Sequence, residues 1–148
     1  MQHRHTTAGP MGQDLIAQLT GLPCRRILIV DDNRDAADME LRLLRQLGQT
    51  VERAYDGVSA IHIAGHFKPE IIFLDLDMPN MNGFDVARHL KRSPWMHATR
   101  FVAYTGHAHA RYRSGAIAAG FDEFIQKPVR VAQLISILRE PALRPKDV

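Results

Sequence analysis

A single cysteine, Cys24, stands in 148 residues, so no internal disulfide can staple the fold, which suits a reducing compartment. Cys24 itself reads as a linker thiol with no role. No apolar run approaches the length of a membrane span, and the N-terminus lacks the apolar stretch of a secretory signal. These absences predict a cytoplasmic protein with no membrane contact. An excess of one charge is missing too: the net charge is +3, yet residues 27–138 hold 13 Lys+Arg and 13 Asp+Glu, so the surplus lies at the ends. No Lys/Arg stripe with interleaved aromatics occurs, which argues against nucleic-acid binding by the body. The eight histidines have no cysteine partners; His3/His5 and His107/His109 are spaced by two, a poor fit to a helical ligand pair, and zinc is not expected. Internal repeats are also lacking. At this length one domain is expected, with no separate output or DNA-binding domain.

What is present is an alternation of short apolar runs and amphipathic stretches. Residues 1–24 read as a flexible leader with a short helical turn over 14–19, residues 25–140 as the folded domain, and 141–148 as a C-terminal tail. Strands are predicted over 26–31, 50–55, 70–75, 100–105 and 122–126. The first helix spans about Asn33 to Leu47, with Ala36, Met39, Leu43 and Leu47 on one face and Gly48 as its stop. Asp56-Gly57 reads as a turn and Val58–Gly65 as a short helix. The segment 78–83 is a loop of turn formers, followed by a helix over 84–91 with Phe84, Ala87 and Leu90 inward. Trp95 reads as a loop anchor. The stretch 107–119 is a helix of small residues with a weak hold on the core, and the last helix buries Val131, Leu134, Ile135 and Leu138. Five strands alternating with five helices give an α/β, single-domain, doubly wound (βα)5 sandwich with a parallel sheet.

Four of the apolar runs stop at a residue able to handle a phosphoryl group: Asp31-Asp32, Asp75, Thr105 and Lys127. Strands without alternation are buried on both faces, and such sheets bind ligands at the carboxyl edge of their strands. Three carboxylates, a hydroxyl and an ammonium are therefore expected on one rim. Carboxylates about 5 Å apart repel by about 3 kcal/mol per pair at an effective dielectric of about 20. A cation must offset that, and hard oxygen ligands suit Mg²⁺. Asp75 ends the most apolar strand and is the best nucleophile candidate, Asp31-Asp32 forming a metal-holding pair and Lys127 a second positive charge. Each residue also has a plainer use: Asp32 as the N-cap of the first helix, Thr105 as a strand end, Lys127 as a solvated lysine, Phe124 as a core side chain.

Over residues 26–139 these landmarks resemble the receiver domain of two-component response regulators. The likeness rests on Asp31-Asp32, the segment Asp75-Leu76-Asp77-Met78-Pro79-Asn80-Met81-Asn82-Gly83, Thr105, and Lys127-Pro128, in that order at strand ends. The resemblance implies a flavodoxin-like sheet of order 2-1-3-4-5 and a phosphoacceptor, Asp75, served by a histidine kinase or phosphotransfer protein. It further implies Mg²⁺ (or Mn²⁺) held by Asp31, Asp32, Asp75 and the Asp77 backbone carbonyl, with Asp31 acting partly through water. Thr105 and Lys127 would contact the phosphoryl group, and Phe124 would turn as Thr105 is drawn in. The Asp77 side chain and His107 occupy positions that tune acyl-phosphate lifetime, Asp77 by repelling or by orienting the attacking water. A cis Lys127–Pro128 bond is expected. Gly106 departs from the alanine frequent in the family and frees the loop after Thr105.

The expected role is thus a phosphorylation-controlled signalling domain, catalysing only its own phosphoryl uptake and hydrolysis. Its downstream partner would dock on the face of the fourth and fifth helices and strand five. Arg111, Arg113 and Arg130 are too few for a salt-bridged interface, so a monomer or weak dimer is expected. The competing enzyme reading is a small Mg²⁺-dependent phosphohydrolase of the haloacid-dehalogenase type, which shares the Asp75-x-Asp77 pattern. That family places its acidic metal pair after the lysine, whereas here it comes first. A flavodoxin-like nucleotide binder is disfavoured because the first turn, AspAspAsnArgAsp, has no glycine and would repel a phosphate.

Overall fold

A computed structural model of the chain describes residues 21–106 and 110–140. The expectations for the leader, for His107 and its neighbours through His109, and for the tail 141–148 lie outside the described residues. Five strands, β1 (Arg26–Val30), β2 (Thr50–Ala54), β3 (Ile71–Asp75), β4 (Arg100–Thr105) and β5 (Glu123–Gln126), alternate with five helices. The helices are α1 (Arg34–Gln46), α2 (Gly57–Phe67), α3 (Gly83–Leu90), α4 (Ala110–Ala118) and α5 (Val131–Arg139), with a 3₁₀ turn at Pro94–Met96 before β4. All pairings are parallel and the order is β2-β1-β3-β4-β5, as expected.

Every residue of β3 and β4 is buried, because helices cover both faces of the sheet. Leu28, Val30, Ile72 and Leu74 point to one side and pack with Ala60, Ala64, Val86 and Leu90 of α2 and α3. Ile27, Ile29, Ile71 and Phe73 point to the other and pack with Leu41, Leu44, Leu134 and Leu138 of α1 and α5. The sheet is therefore doubly wound, and its central strands β1, β3 and β4 end together at one edge.

Several local readings need correction. The buried stripe of α1 is Ala37, Leu41 and Leu44, while Met39 is 69% exposed and Ala36, Leu43 and Leu47 only partly covered. An i, i+4, i+7 stripe one position away from the predicted one satisfies the same helical period, and only the sheet beneath decides between them. Asp56 is the N-cap of α2, its side chain accepting from the Ser59 amide, so the helix starts earlier than read. Trp95 is exposed and Met96 is the buried residue that anchors the 3₁₀ turn. Val131 is exposed and Ile137 joins the buried face of α5.

Arg100, by pattern only a strand position, is 2% exposed. Its guanidinium bonds the Ile137 carbonyl at 2.6 Å, Glu140 at 3.0 Å and Glu123, tying the foot of β4 to β5 and to the end of α5.

Candidate functional site

Asp31 follows directly on β1, and its amide still bonds the Ala54 carbonyl of β2, so the ladder itself delivers this side chain to the sheet edge. Asp75 is the last residue of β3 and Lys127 follows β5. Parallel strands in register bring these ends together across as many as 96 positions of sequence. The loop after β3 is kept tight by the capping box of Asn82 and Asp85, which starts α3 beside Asp75. Gly83 is required there because a Cβ would overlap the Asp75 carbonyl oxygen.

Asp31, Asp32 and Asp75 each offer one oxygen, all within 4.8 Å of one another, the only grouping of three or more His, Cys, Asp or Glu ligands among the described residues. Asp31 and Asp75 are buried and Asp32 is exposed at the mouth. The Lys127 ammonium lies 2.8 Å from Asp31 Oδ2 and 3.4 Å from Asp75 Oδ2, and 4.4 Å over the Tyr104 ring. Asp31 Oδ1 accepts from the Asn33 amide at 2.9 Å, and Asp75 Oδ1 from the Asp77 amide at 3.0 Å. Asn33, not Asp32, caps α1, which leaves the Asp32 carboxylate to the pocket.

Burial pushes the Asp75 carboxyl well above the usual carboxylate range; the Asp77 amide and Lys127 pull it down, and Asp31 pushes it up further. For Lys127 burial works toward the neutral amine, but its bond to Asp31 and the charges of Asp75 and Asp31 outweigh this, and its pKa rises. The ammonium is therefore firmly charged. Once Asp75 is ionised, three carboxylates stand against one ammonium, and an all-oxygen donor set of this kind fits Mg²⁺ or Mn²⁺.

Thr105 is fully buried at the end of β4. Its hydroxyl donates to Asp77 Oδ2 at 2.9 Å, and the Tyr112 hydroxyl of α4 donates to Asp77 Oδ1 at 2.8 Å. The Asp77 carboxylate thus accepts from the expected switch threonine and from a helix. Phe124 is half-buried on β5 with the Arg113 guanidinium of α4 5.4 Å from its ring centre. The Lys127–Pro128 bond is cis. His107 lies outside the described residues.

Two residues near the site went unread in the sequence. Tyr112 sits in a stretch whose small residues suggested only a loosely held helix. Glu40 is half-buried at the border of the buried stripe of α1, three residues after Ala37 and four before Leu44. Burial, and then the Asp31 charge, push its carboxyl up to about 8, with Lys127 opposing and Asp75 adding. The period starting from Ala37 would have pointed to Glu40; nothing local points to Tyr112.

The response regulator receiver domain family model matches residues 27–139. Among curated proteins, response regulator MprA of Mycobacterium ulcerans (strain Agy99) is 31% identical over 121 residues, 82% of this chain and 51% of that protein. MprA of Mycobacterium avium (strain 104) is also 31% identical, over 82% of this chain and 52% of its own length. The chain therefore spans about half the length of the curated relatives it matches. Among solved structures, chemotaxis protein CheY4 of Vibrio cholerae aligns with a TM-score of 0.74 at 25% identity, covering 78% of this chain and 97% of that one. A CheY-like receiver domain protein of Methanospirillum hungatei JF-1 aligns with a TM-score of 0.70 at 26% identity, covering 78% and 90%. The phosphohydrolase reading finds no support among these relatives. Sheet order, family match and relatives agree: the chain belongs to the response regulator receiver domain family of two-component signal transduction.

Proposed function

We propose that Asp75 is the phosphoacceptor of this receiver domain and that Asp31, Asp32, Asp75 and the Asp77 backbone carbonyl hold the divalent cation. One observation carries the reading: at the strand ends the Lys127 ammonium stands against both Asp31 and Asp75. A Mg²⁺ or Mn²⁺ ion bound there supplies charge neutralisation at the transferring phosphoryl oxygens.

In the uptake step a carboxylate oxygen of Asp75 attacks phosphorus of a phosphohistidine. The O–P bond forms as the P–N bond breaks, and the imidazole leaves as a neutral ring, its other nitrogen already protonated. The Lys127 ammonium stands beside the oxygens where negative charge concentrates, and the surrounding core excludes bulk water from the nucleophile. Water attack on phosphorus later releases phosphate and restores the carboxylate, so the domain turns over only its own modification. The donor in this reading is a histidine kinase or phosphotransfer protein, and the reaction is assigned to the cytoplasm.

Thr105 and Lys127 contact the phosphoryl group in this reading, with the Asp77 side chain and His107 at its flank setting how long it persists. Output runs through Phe124 to the face of α4, β5 and α5, where a downstream protein docks. Shallow grooves on both sides of Phe124 support that assignment: one is lined by Ile117, Phe121 and Arg113, the other by Ile125, Ala132 and Ile137. The test is Asp75→Asn: acetyl phosphate with Mg²⁺ adds one phosphoryl mass to the wild type and none to the variant. A mass increment that survives in Asp75→Asn overturns the assignment.

A further inference from the structure

Helix α4 is held by few large side chains. Among residues 111–118 only Ala116 is fully covered, and Gly115 faces the Phe84 ring with room for no more than a methyl group. Tyr112 is the exception. Its ring lies 6.5 Å from that of Phe84 on α3, and its hydroxyl reaches Asp77 Oδ1 at 2.8 Å, while Thr105 takes Oδ2 of the same carboxylate at 2.9 Å. The loop after β3, the end of β4 and α4 thus share one carboxylate two residues beyond Asp75.

A threonine hydroxyl has one proton to donate. Thr105 cannot give it both to Asp77 and to a phosphoryl oxygen on Asp75. An aspartyl phosphate also places about two negative charges close to the Asp77 carboxylate, by analogy with other protein phosphates. Asp77 then loses the Thr105 proton and is repelled, so it cannot keep the orientation that serves Tyr112.

Resting on the phosphoacceptor reading above, we propose that Tyr112 is a positioning residue that tethers α4 to the pocket through Asp77 in the resting state, and that phosphorylation releases the tether by drawing Thr105 off the shared carboxylate. The signal leaves along α4. The neighbouring Arg113 sits over the Phe124 ring, so a shift of the helix reaches β5 directly.

Tyr112→Phe removes the hydroxyl and keeps the ring against Phe84, so the fold survives. Amide hydrogen exchange over 110–118 is measured in wild type and variant, each resting and loaded with beryllofluoride and Mg²⁺. The expected result is exchange at least tenfold faster in resting Tyr112→Phe than in the resting wild type, with the two proteins alike once loaded. Uptake from acetyl phosphate should be several-fold faster in the variant, since the competent state no longer competes with the tether. Equal exchange in the two resting proteins overturns the proposal. So does an excess that persists unchanged after loading, which marks a purely structural role. Failure of the wild type to gain phosphoryl mass at Asp75 overturns the acceptor reading, and the tether with it, whereas normal uptake with unaltered exchange overturns the tether alone.

Discussion

Lys127 stands closer to Asp31, at 2.8 Å, than to Asp75, at 3.4 Å. In the resting pocket the ammonium chiefly balances Asp31 and only leans on Asp75, the proposed nucleophile. Asp75 keeps an oxygen on the Asp77 amide, which aligns it without neutralising it.

Replacing Lys127 by Met should therefore slow chemistry more than it disturbs architecture. Loss of the charge beside the transferring phosphoryl is expected to slow uptake from acetyl phosphate by about 10²-fold. Intact-mass time courses check this, and a rate within twofold of wild type would remove Lys127 from the reaction.

Gly83→Ala tests the close approach of α3 to Asp75. The added Cβ meets backbone, the Asp75 carbonyl oxygen and the Leu76 Cα, so neither neighbour can swing away. A loss of about 1–3 kcal/mol in urea unfolding is expected, with uptake impaired because Asp75 is displaced. Gly65→Ala is the control, since nothing lies within 4 Å of a Cβ there.

Glu40 predicts a pH dependence of stability. Its carboxyl is pushed up to about 8 in the fold, against about 4.5 when unfolded. A raised folded pKa means that the native state holds the extra proton, so this contribution is full below about 4.5 and is lost as pH rises through about 8. Glu40→Gln should flatten the fall between those values and leave the variant about 1–2 kcal/mol more stable than wild type at pH 9, after allowing for partial exposure. Urea midpoints across pH 5–9 check it, and parallel curves for the two proteins would count against a raised Glu40 pKa.

Arg100→Met probes the opposite edge of the sheet. Removing the buried guanidinium strands Glu123, whose carboxyl burial already raises, and frees the Ile137 carbonyl at the end of α5. Thermal or urea unfolding should show a loss of about 1–3 kcal/mol, less than for a fully buried pair because Glu140 is 56% exposed. Uptake at Asp75 in the folded variant should match wild type, since Arg100 begins β4 and the pocket lies at the strand ends.

The central strands β1, β3 and β4 were legible because each carries a short, uninterrupted apolar run, and a parallel sheet makes every strand end at the same edge. That reasoning placed Asp31, Asp75, Thr105 and Lys127 together without coordinates. Helix faces were less legible: Met39 and Leu43 obey the same period as Ala37 and Leu44, and only the layer underneath chooses. The misplaced stripe hid Glu40. Arg100 escaped for a related reason, since its partners Glu123 and Glu140 lie 23 and 40 positions away.

By itself the sequence determined the succession of elements and which chemical groups stand at the strand ends, because both follow from local periodicity and from the geometry that parallel strands share. Tertiary structure alone decided how those groups pair: Lys127 toward Asp31, Asn33 rather than Asp32 as the cap, and Thr105 and Tyr112 on the two oxygens of Asp77. A hydrogen bond depends on a few tenths of an ångström and on direction. Those quantities are settled by the packing of whole elements and leave no trace in residue spacing.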